Sequence, residues 1–236
     1  MSIKDDYYIR EINYHTAMNI VVRCHYAHRI APCTRAFGLY SNKLNRIVGV
    51  CVYGSPASPS LCKGICGVEE ENNVYELTRL YVDDGLGKNL ESFLVGNTLK
   101  MLDKEIIVSY SDISMGHVGI IYQATNFYYT GLSAPHKDYV ALGEDGHELH
   151  EKTTHEVYGG TKGILEAMES GNVSIRQRDR ARKHRYIYFN CNKKRKKELL
   201  AKLNYPILPY PKQNTSVPIT STENIFDNKS KMKRLF

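Results

Sequence analysis

The chain has 236 residues, 42% of them hydrophobic and 24% charged, which suits one large soluble domain or two small ones and needs no disulfide or metal to complete a core. No apolar run reaches the length of a membrane-spanning helix, and no charged-then-apolar leader marks export. The net charge of +7 is unevenly placed: residues 1–170 hold 15 Lys and Arg against 21 Asp and Glu, whereas residues 171–236 hold 17 against 4.

A mildly acidic body with a strongly basic end points to a polyanionic partner, foremost nucleic acid, with a merely solvated basic tail as the alternative. The six cysteines (Cys24, Cys33, Cys51, Cys62, Cys66 and Cys191) follow no small-scaffold disulfide spacing, so a reducing cytoplasm is the simpler setting.

In chain order, residues 9–13 read as a short strand and 14–28 as a helix, with Ala17, Ile20, Val21 and Cys24 on one face. Residues 37–41 and 46–53 read as strands joined by a polar turn. Residues 55–73, with two prolines and two glycines, read as a loop. Residues 74–82 form a strand by their β-branched and aromatic alternation, closed by Asp83-Asp84-Gly85. Residues 88–102 follow as a helix. Residues 106–110 are a nearly continuous apolar run, as in a buried parallel strand. Residues 116–126 read as a helix and 127–131 as a strand. The stretch 134–172 reads as an insertion with one helix near 162–169. Residues 185–189 read as a strand, 193–203 as a basic helix, and the proline-bearing end as an extended tail. The sum is an α/β fold with a mixed central sheet flanked by helices: a catalytic domain over 1–190, with an insertion at about 134–180, and a basic extension over 191–236.

Several residues carry chemical potential. Ser109, Tyr110 and Asp112 leave the carboxyl end of a buried strand, where ligands of open α/β sheets gather. Arg79, mid-strand, reads either as an anion clamp or as a salt-bridge partner of Glu76 or Asp112. Asp112 is a candidate base or amine acceptor, or else a turn cap. His117 at a helix start would stay neutral and accept a proton, or simply cap and pack. His25 and His28, three apart, are a candidate metal pair lacking an identified third ligand. Val82, Gly85 and Gly87 form a glycine turn between strand and helix, either a phosphate cradle or a plain turn. Arg176, Arg178, Arg182, Lys183, Arg185, Lys193, Lys194, Arg195, Lys196 and Lys197 form the basic end, which would give steeply salt-dependent DNA binding.

Seven segments recur together in order: HYAHR (25–29), ELTRLYV (76–82), NLESFL (89–94), VSYSD (108–112), GHVGIIYQATNFYYTG (116–131), KHRYIYF (183–189) and LPYPK (208–212). The chain in this respect resembles the Mom DNA-modification proteins of Mu-like phages, over residues 15–212. The element order is also similar to the acyl-CoA N-acetyltransferase superfamily (GNAT fold), whose pyrophosphate turn matches Gly85 and Gly87 but has Val82 in place of its Gln or Arg.

The resemblance implies an acetyltransferase-like fold and a transferase that converts adenine N6 in double-stranded DNA to the carbamoylmethyl form. It implies shielding of phage DNA from restriction in the cytoplasm of the bacterial host. Catalytic roles then fall to Ser109, Tyr110, Asp112, His117, Tyr122 and Tyr129, with either of the last two tyrosines a proton donor to a leaving group or a core residue. A cofactor side runs through Arg79, Tyr81, Val82, Gly85, Gly87 and Asn126. The group donor is acetyl-CoA or an activated glycine such as an aminoacyl-tRNA, iron at His25 and His28 is an alternative route, and a homodimer is compatible with all of this.

Overall fold

Alternation in the strands separates two apolar faces, and the order of pairing decides which faces meet. The computed structural model describes residues 3–143, 146–149, 151–171 and 174–212. In it, strands β1 (Tyr7–Glu11), β2 (Arg35–Ser41), β3 (Arg46–Gly54), β4 (Val74–Val82), β5 (Ile106–Asp112), β6 (Tyr128–Leu132) and β9 (Lys183–Phe189) form one seven-stranded sheet in the order β1-β2-β3-β4-β5-β9-β6. The pair β4–β5 is parallel and the others antiparallel. Two further strands, β7 (Lys137–Ala141) and β8 (Ile175–Asp179), pair as a separate small sheet. The expected mixed α/β class is what the chain adopts.

One sheet face carries Tyr75, Leu77, Ile107 and Tyr186 and packs against Leu90, Leu94 and Val95 of helix α4 (Leu90–Thr98). The opposite face carries Val74, Ile106, Val108, Ile187 and Phe189. It packs against Ile65 and Cys66 of α3 (Pro59–Cys66) and Leu199 of α8 (Lys193–Lys202). Helix α2 (Tyr14–Cys24) covers Ala36, Val50 and Val52 through Ala17, Met18 and Val21. Each fully buried aliphatic side chain here contributes about 1.5–3 kcal/mol. A short helix α1 (Ile3–Asp6) precedes β1.

The structure revises several expected boundaries. The stretch read as a loop at 55–73 holds α3 and a 3₁₀ turn (Val68–Asn73). Ser58 caps α3 through Leu61 N–H and Pro59 occupies its first turn, so a proline that reads as a breaker is here a helix starter. Helix α2 stops at Cys24 because His25 is already extended. The helix expected over 116–126 shrinks to α5 (Ile120–Ala124), since Gly116 and Gly119 adopt positive φ. The insertion carries β7, β8, α6 (Glu151–Val157) and α7 (Thr161–Glu169) around Ala141, Ile164 and Ile175. Of the tail, residues 203–212 dock on the body: Leu208 N–H donates to Tyr129 O and Tyr210 Oη to Phe127 O. Residues 213–236, with Pro218, lie outside the described residues.

Helix α8 is joined to the sheet domain by a packed and charged contact, across the boundary expected at 190. Arg195 donates to Glu70 at 2.6 Å and to Glu105 at 2.9 Å, and Lys202 reaches Glu70 at 3.3 Å. Glu70 is buried; burial opposes its charge, but the bonds from Arg195, Asn73 and Lys202 outweigh it and hold its carboxyl low. Removing the arginine would leave that carboxylate short of a partner. Arg195→Met should therefore cost about 2–4 kcal/mol in urea unfolding, whereas Lys197→Met, two residues along the same basic run and exposed, should change stability by less than about 0.5 kcal/mol.

Candidate active site

Strands β4 and β5 are hydrogen-bonded neighbours only over Val74–Leu77 and Ile106–Ser109. Beyond that they part, each still paired on its outer side, β4 with β3 and β5 with β9. A cleft of about 480 Å³ opens between them, within the range of small-ligand sites. The parted edges find local partners: Ser109 Oγ donates to Leu77 O and Arg79 Nη1 to Thr78 O.

A register shift in β4 aims the arginine. Val52 pairs with Arg79 but Tyr53 pairs with Leu77, leaving Thr78 as an extra residue. Such a bulge exchanges the faces of the residues that follow. Leu77 therefore packs on the α4 side, whereas Arg79 turns toward the segment after α2, where Nη2 reaches Ile30 O at 3.5 Å. Neither Glu76 nor Asp112 forms a salt bridge with Arg79 among the described residues. Its Nε is buried without a partner, and burial pulls its pKa below the usual value. A half-buried guanidinium with an unmet donor in a cleft suits an anionic or carbonyl oxygen.

Glu76 stands at the point of divergence and lines the cleft with Lys183. Burial pushes its carboxyl up from 4.5 to about 7, against the pull of Lys183 and Arg79. Asp112 behaves in the opposite sense. Burial alone would raise it, but Ser114 donates from both N and Oγ, at 3.0 and 2.6 Å, and the Lys183 ammonium lies at 3.3 Å. Its carboxyl is thereby lowered, which makes it a fixed anion and turn cap and a weak base. The sheet holds two carboxylates with opposite tendencies, the pattern by which acid–base roles divide.

The far wall is aromatic. His25 is buried and stacks on Tyr26 at 4.3 Å between ring centroids, and Tyr26 meets His117 edge-on at 6.2 Å. Burial, then Arg79 and His28, bring the His25 pKa down to about 4, so the ring is neutral at pH 7. Tyr110 and Tyr122 complete the lining, and burial raises both phenols well above their usual range. The lip formed by Val118 and Gly119 is locked by Tyr186, whose hydroxyl donates to Val118 O. A Cβ on Gly119, at φ 74, would lie 2.5 Å from the Tyr186 ring, so only glycine fits there.

The expected site residues thus divide. Arg79, Tyr110, Asp112, His117, Tyr122, His25 and Lys183 converge on the cleft. His117 is exposed in the loop before α5, so the helix-terminus argument for its neutrality does not apply. Ser109 is fully buried below the cleft. Tyr129 instead bonds His184 Nδ1 at 2.9 Å, outside it. Asn126 borders a separate cavity beside α4. Tyr81 donates to Asp83, and Tyr81, Val82, Gly85 and Gly87 border none of the four main cavities. The glycine turn leaves α4 without a side-chain cap, but Asp83 and Asp84 sit at its base.

Among the described residues no third ligand joins the histidine pair in a metal-binding cluster. His25 Nδ1 accepts from Ala27 N–H, His28 Nδ1 is engaged with Val22 O, and a guanidinium stands beside His25. Among the described residues, the one cluster with ligand-like spacing is His136, Asp138 and Glu151 in the insertion, and Arg180 already neutralises its two carboxylates. Of the basic end, Arg176 and Arg178 pair with Glu148, and Arg195 is structural. Arg182 bonds the Ser133 carbonyl, Lys196 lies over the Tyr128 ring, and Lys193, Lys194 and Lys197 are exposed.

Sequence reasoning missed Glu76 and Tyr26 as cleft residues and took Lys183 for a DNA contact alone. The signal for Glu76 was present: an acid between Tyr75 and Leu77, on a strand with partners on both sides, is partly withdrawn from solvent wherever its side chain points.

The chain is 28% identical over 204 residues to the methylcarbamoylase Mom of Escherichia phage Mu, covering 83% of this chain and 80% of that protein. Solved acetyltransferases overlap partially in architecture. An N-acetyltransferase of Staphylococcus aureus has 14% identity and TM-score 0.41, covering 79% of this chain and 99% of its own. An aminoglycoside N(6') acetyltransferase of Legionella pneumophila has 9% identity and TM-score 0.42, covering 84% and 96%. The model of the Mom protein family matches residues 6–212, and the chain belongs to that family.

Proposed function

We propose that the protein is a transferase that places a carbamoylmethyl group on adenine N6 of double-stranded phage DNA, protecting that DNA from restriction in the host cytoplasm. The observation that carries this is the cleft between β4 and β5. It combines an orphaned arginine donor, a carboxyl poised near neutrality and an aromatic wall, in a family with a methylcarbamoylase among its members.

Adenine N6 inside a duplex is stacked and paired, so the base must leave the helix to reach a recessed cleft. Tyr26 is half exposed at the rim, positioned to stack on an extruded ring, with His25 buried behind it. Glu76, near half-ionised at neutral pH, takes the proton that N6 gives up as it forms its new bond. Arg79 Nε holds the oxygen of the incoming group. Tyr122 supplies a proton to the leaving group from a position that keeps it protonated. Asp112 holds Lys183 and stays ionised.

The group transferred sets limits on its donor. In N–CH₂–C(=O)–NH₂ the methylene carbon is bound to nitrogen, so plain acetyl transfer, which makes N–C(=O)–CH₃, cannot produce it. Attack of N6 on the carbonyl carbon of an activated glycine, with release of its carrier, gives N6–C(=O)–CH₂–NH₂, an isomer of the carbamoylmethyl product. Attack of the new amine on C6 of the base and cleavage of the original C6–N bond then gives C6–NH–CH₂–C(=O)–NH₂ with no oxidant or reductant. An activated glycine is accordingly the donor we favour, and feeding labelled glycine should label the product.

Expression in bacteria followed by mass spectrometry of nucleosides from cellular DNA should reveal deoxyadenosine carrying one carbamoylmethyl group. Arg79→Ala should abolish that species, and Tyr129→Phe, outside the cleft, should retain it. An unmodified nucleoside pool with the wild-type protein present and soluble would refute the assignment. Glu76 also has a thermodynamic signature. Its ionisation is disfavoured in the folded state, so it costs nothing below about pH 4.5 and up to about 3 kcal/mol above pH 7. Glu76→Gln should gain stability over wild type as pH rises from 5 to 8 in thermal melts, while losing modification activity.

A further inference from the structure

A second cavity of about 440 Å³ lies behind the cleft and shares Tyr110 and Lys183 with it. Arg180, Lys183 and Arg185 line it, and no Asp or Glu does. Arg185 is 92% buried, at 8% exposure. One guanidinium face covers the Tyr205 ring at 3.5 Å, while Nε donates to Thr130 Oγ1 and Nη2 to Thr130 O, both at 2.9 Å. Among the described residues no carboxylate pairs with it, and burial pulls its pKa down. At the cavity's mouth stand the hydroxyls of Ser58 and Ser60, 2.7 Å apart. A buried guanidinium without a counter-anion is costly, and the tyrosine and threonine around it offset only part of that. With the Nε–Nη2 edge held by Thr130, the remaining Nη1–Nη2 edge matches two oxygens of a tetrahedral oxyanion, with Lys183 also lining the cavity.

We infer that this cavity is a phosphate site, and that it holds a backbone phosphodiester of the DNA strand whose adenine enters the neighbouring cleft. The shared wall of Tyr110 and Lys183 sets the two sites side by side, as a base and a phosphate of one strand require. Lys183 links them, touching Asp112 on the cleft side and the phosphate on the other. This inference rests on the DNA reading above.

The test uses a modifiable duplex in which single phosphates flanking the target adenine are replaced one at a time by uncharged methylphosphonate. Wild-type protein should lose about tenfold in affinity at one position. Arg185→Gln should bind more weakly, show a salt slope lower by about one, and be indifferent at that position. Because Arg185 is buried, Ser60→Glu at the exposed mouth serves as a second variant and should weaken binding in the same position-specific way. Without DNA, inorganic phosphate at constant ionic strength should raise the thermal midpoint of wild type and not of Ser60→Glu. Equal losses for wild type and both variants at every position would overturn the inference. Stabilisation by phosphate with no sensitive position, or protection by transfer RNA and not by duplex DNA, would assign the cavity to another anion and overturn it as well. Position-specific coupling without any modified adenosine would instead defeat the transferase reading and leave this one standing.

Discussion

Two neighbouring parallel strands that separate while still inside a sheet create a problem of unmet backbone groups, and the rest of this site follows from how it is solved. Buried N–H and C=O groups must find partners. After Leu77 and Ser109 the inner edges of β4 and β5 no longer supply them to one another. Ser109 closes the last shared carbonyl and Arg79 the next, so two side chains stand in for strand pairing. The Thr78 bulge lets one of them be an arginine that also faces the cleft. A sheet that kept its register there would turn Arg79 into the α4 core, where a cation has no partner.

The electrostatics of the cleft depend on the same parting. Glu76 sits where the strands are still close and water is scarce, so its proton is held to about neutral pH. Asp112 sits where β5 ends, and the turn after it offers N–H and O–H donors that fix its charge. Lys183, opposite Asp112 in the register of β5 and β9, tethers the outer end. The result is one carboxyl able to exchange a proton and one that is not, a few residues apart on adjoining strands. The basic character of the chain's end acquires a division of labour as well. Arg195 pins α8 and Arg176 and Arg178 brace the insertion, so part of the +13 excess of residues 171–236 is committed within the fold.

The sequence makes the sheet legible where periodicity is strong. The expected and observed limits of β4 coincide, and β3, β5 and β9 differ by one or two residues. Helix α3 was hidden because Pro59 and Gly64 read as breakers, and only the Ser58 cap reveals them as a helix start and interior. The extent of α5 was overread because its apolar spacing continues through Gly119, which adopts positive φ and where the Tyr186 ring leaves no room for a Cβ. At the site, strand-end chemistry made Tyr110 and Asp112 legible, and the cost of a mid-strand cation made Arg79 so. The bulge was not, because a one-residue register slip depends on what β3 offers and leaves no local mark. Tyr129 and Asn126 fall outside the cleft although Tyr129 shares the α4 side of the sheet with Tyr122 and Tyr186: proximity in sequence does not give the lateral position at which a following strand sets its side chains.

The central claim is that the parting of β4 and β5 makes the pocket in which an adenine is held for transfer. It is tested most directly by the crystal structure of the protein bound to a duplex carrying its target adenine. The account predicts that the adenine is rotated out of the helix and seated between β4 and β5, its exocyclic nitrogen within hydrogen-bonding distance of Glu76 and its ring against Tyr26. An adenine still stacked in the duplex, or lodged in the cavity beside α4 with Asn126, would contradict it.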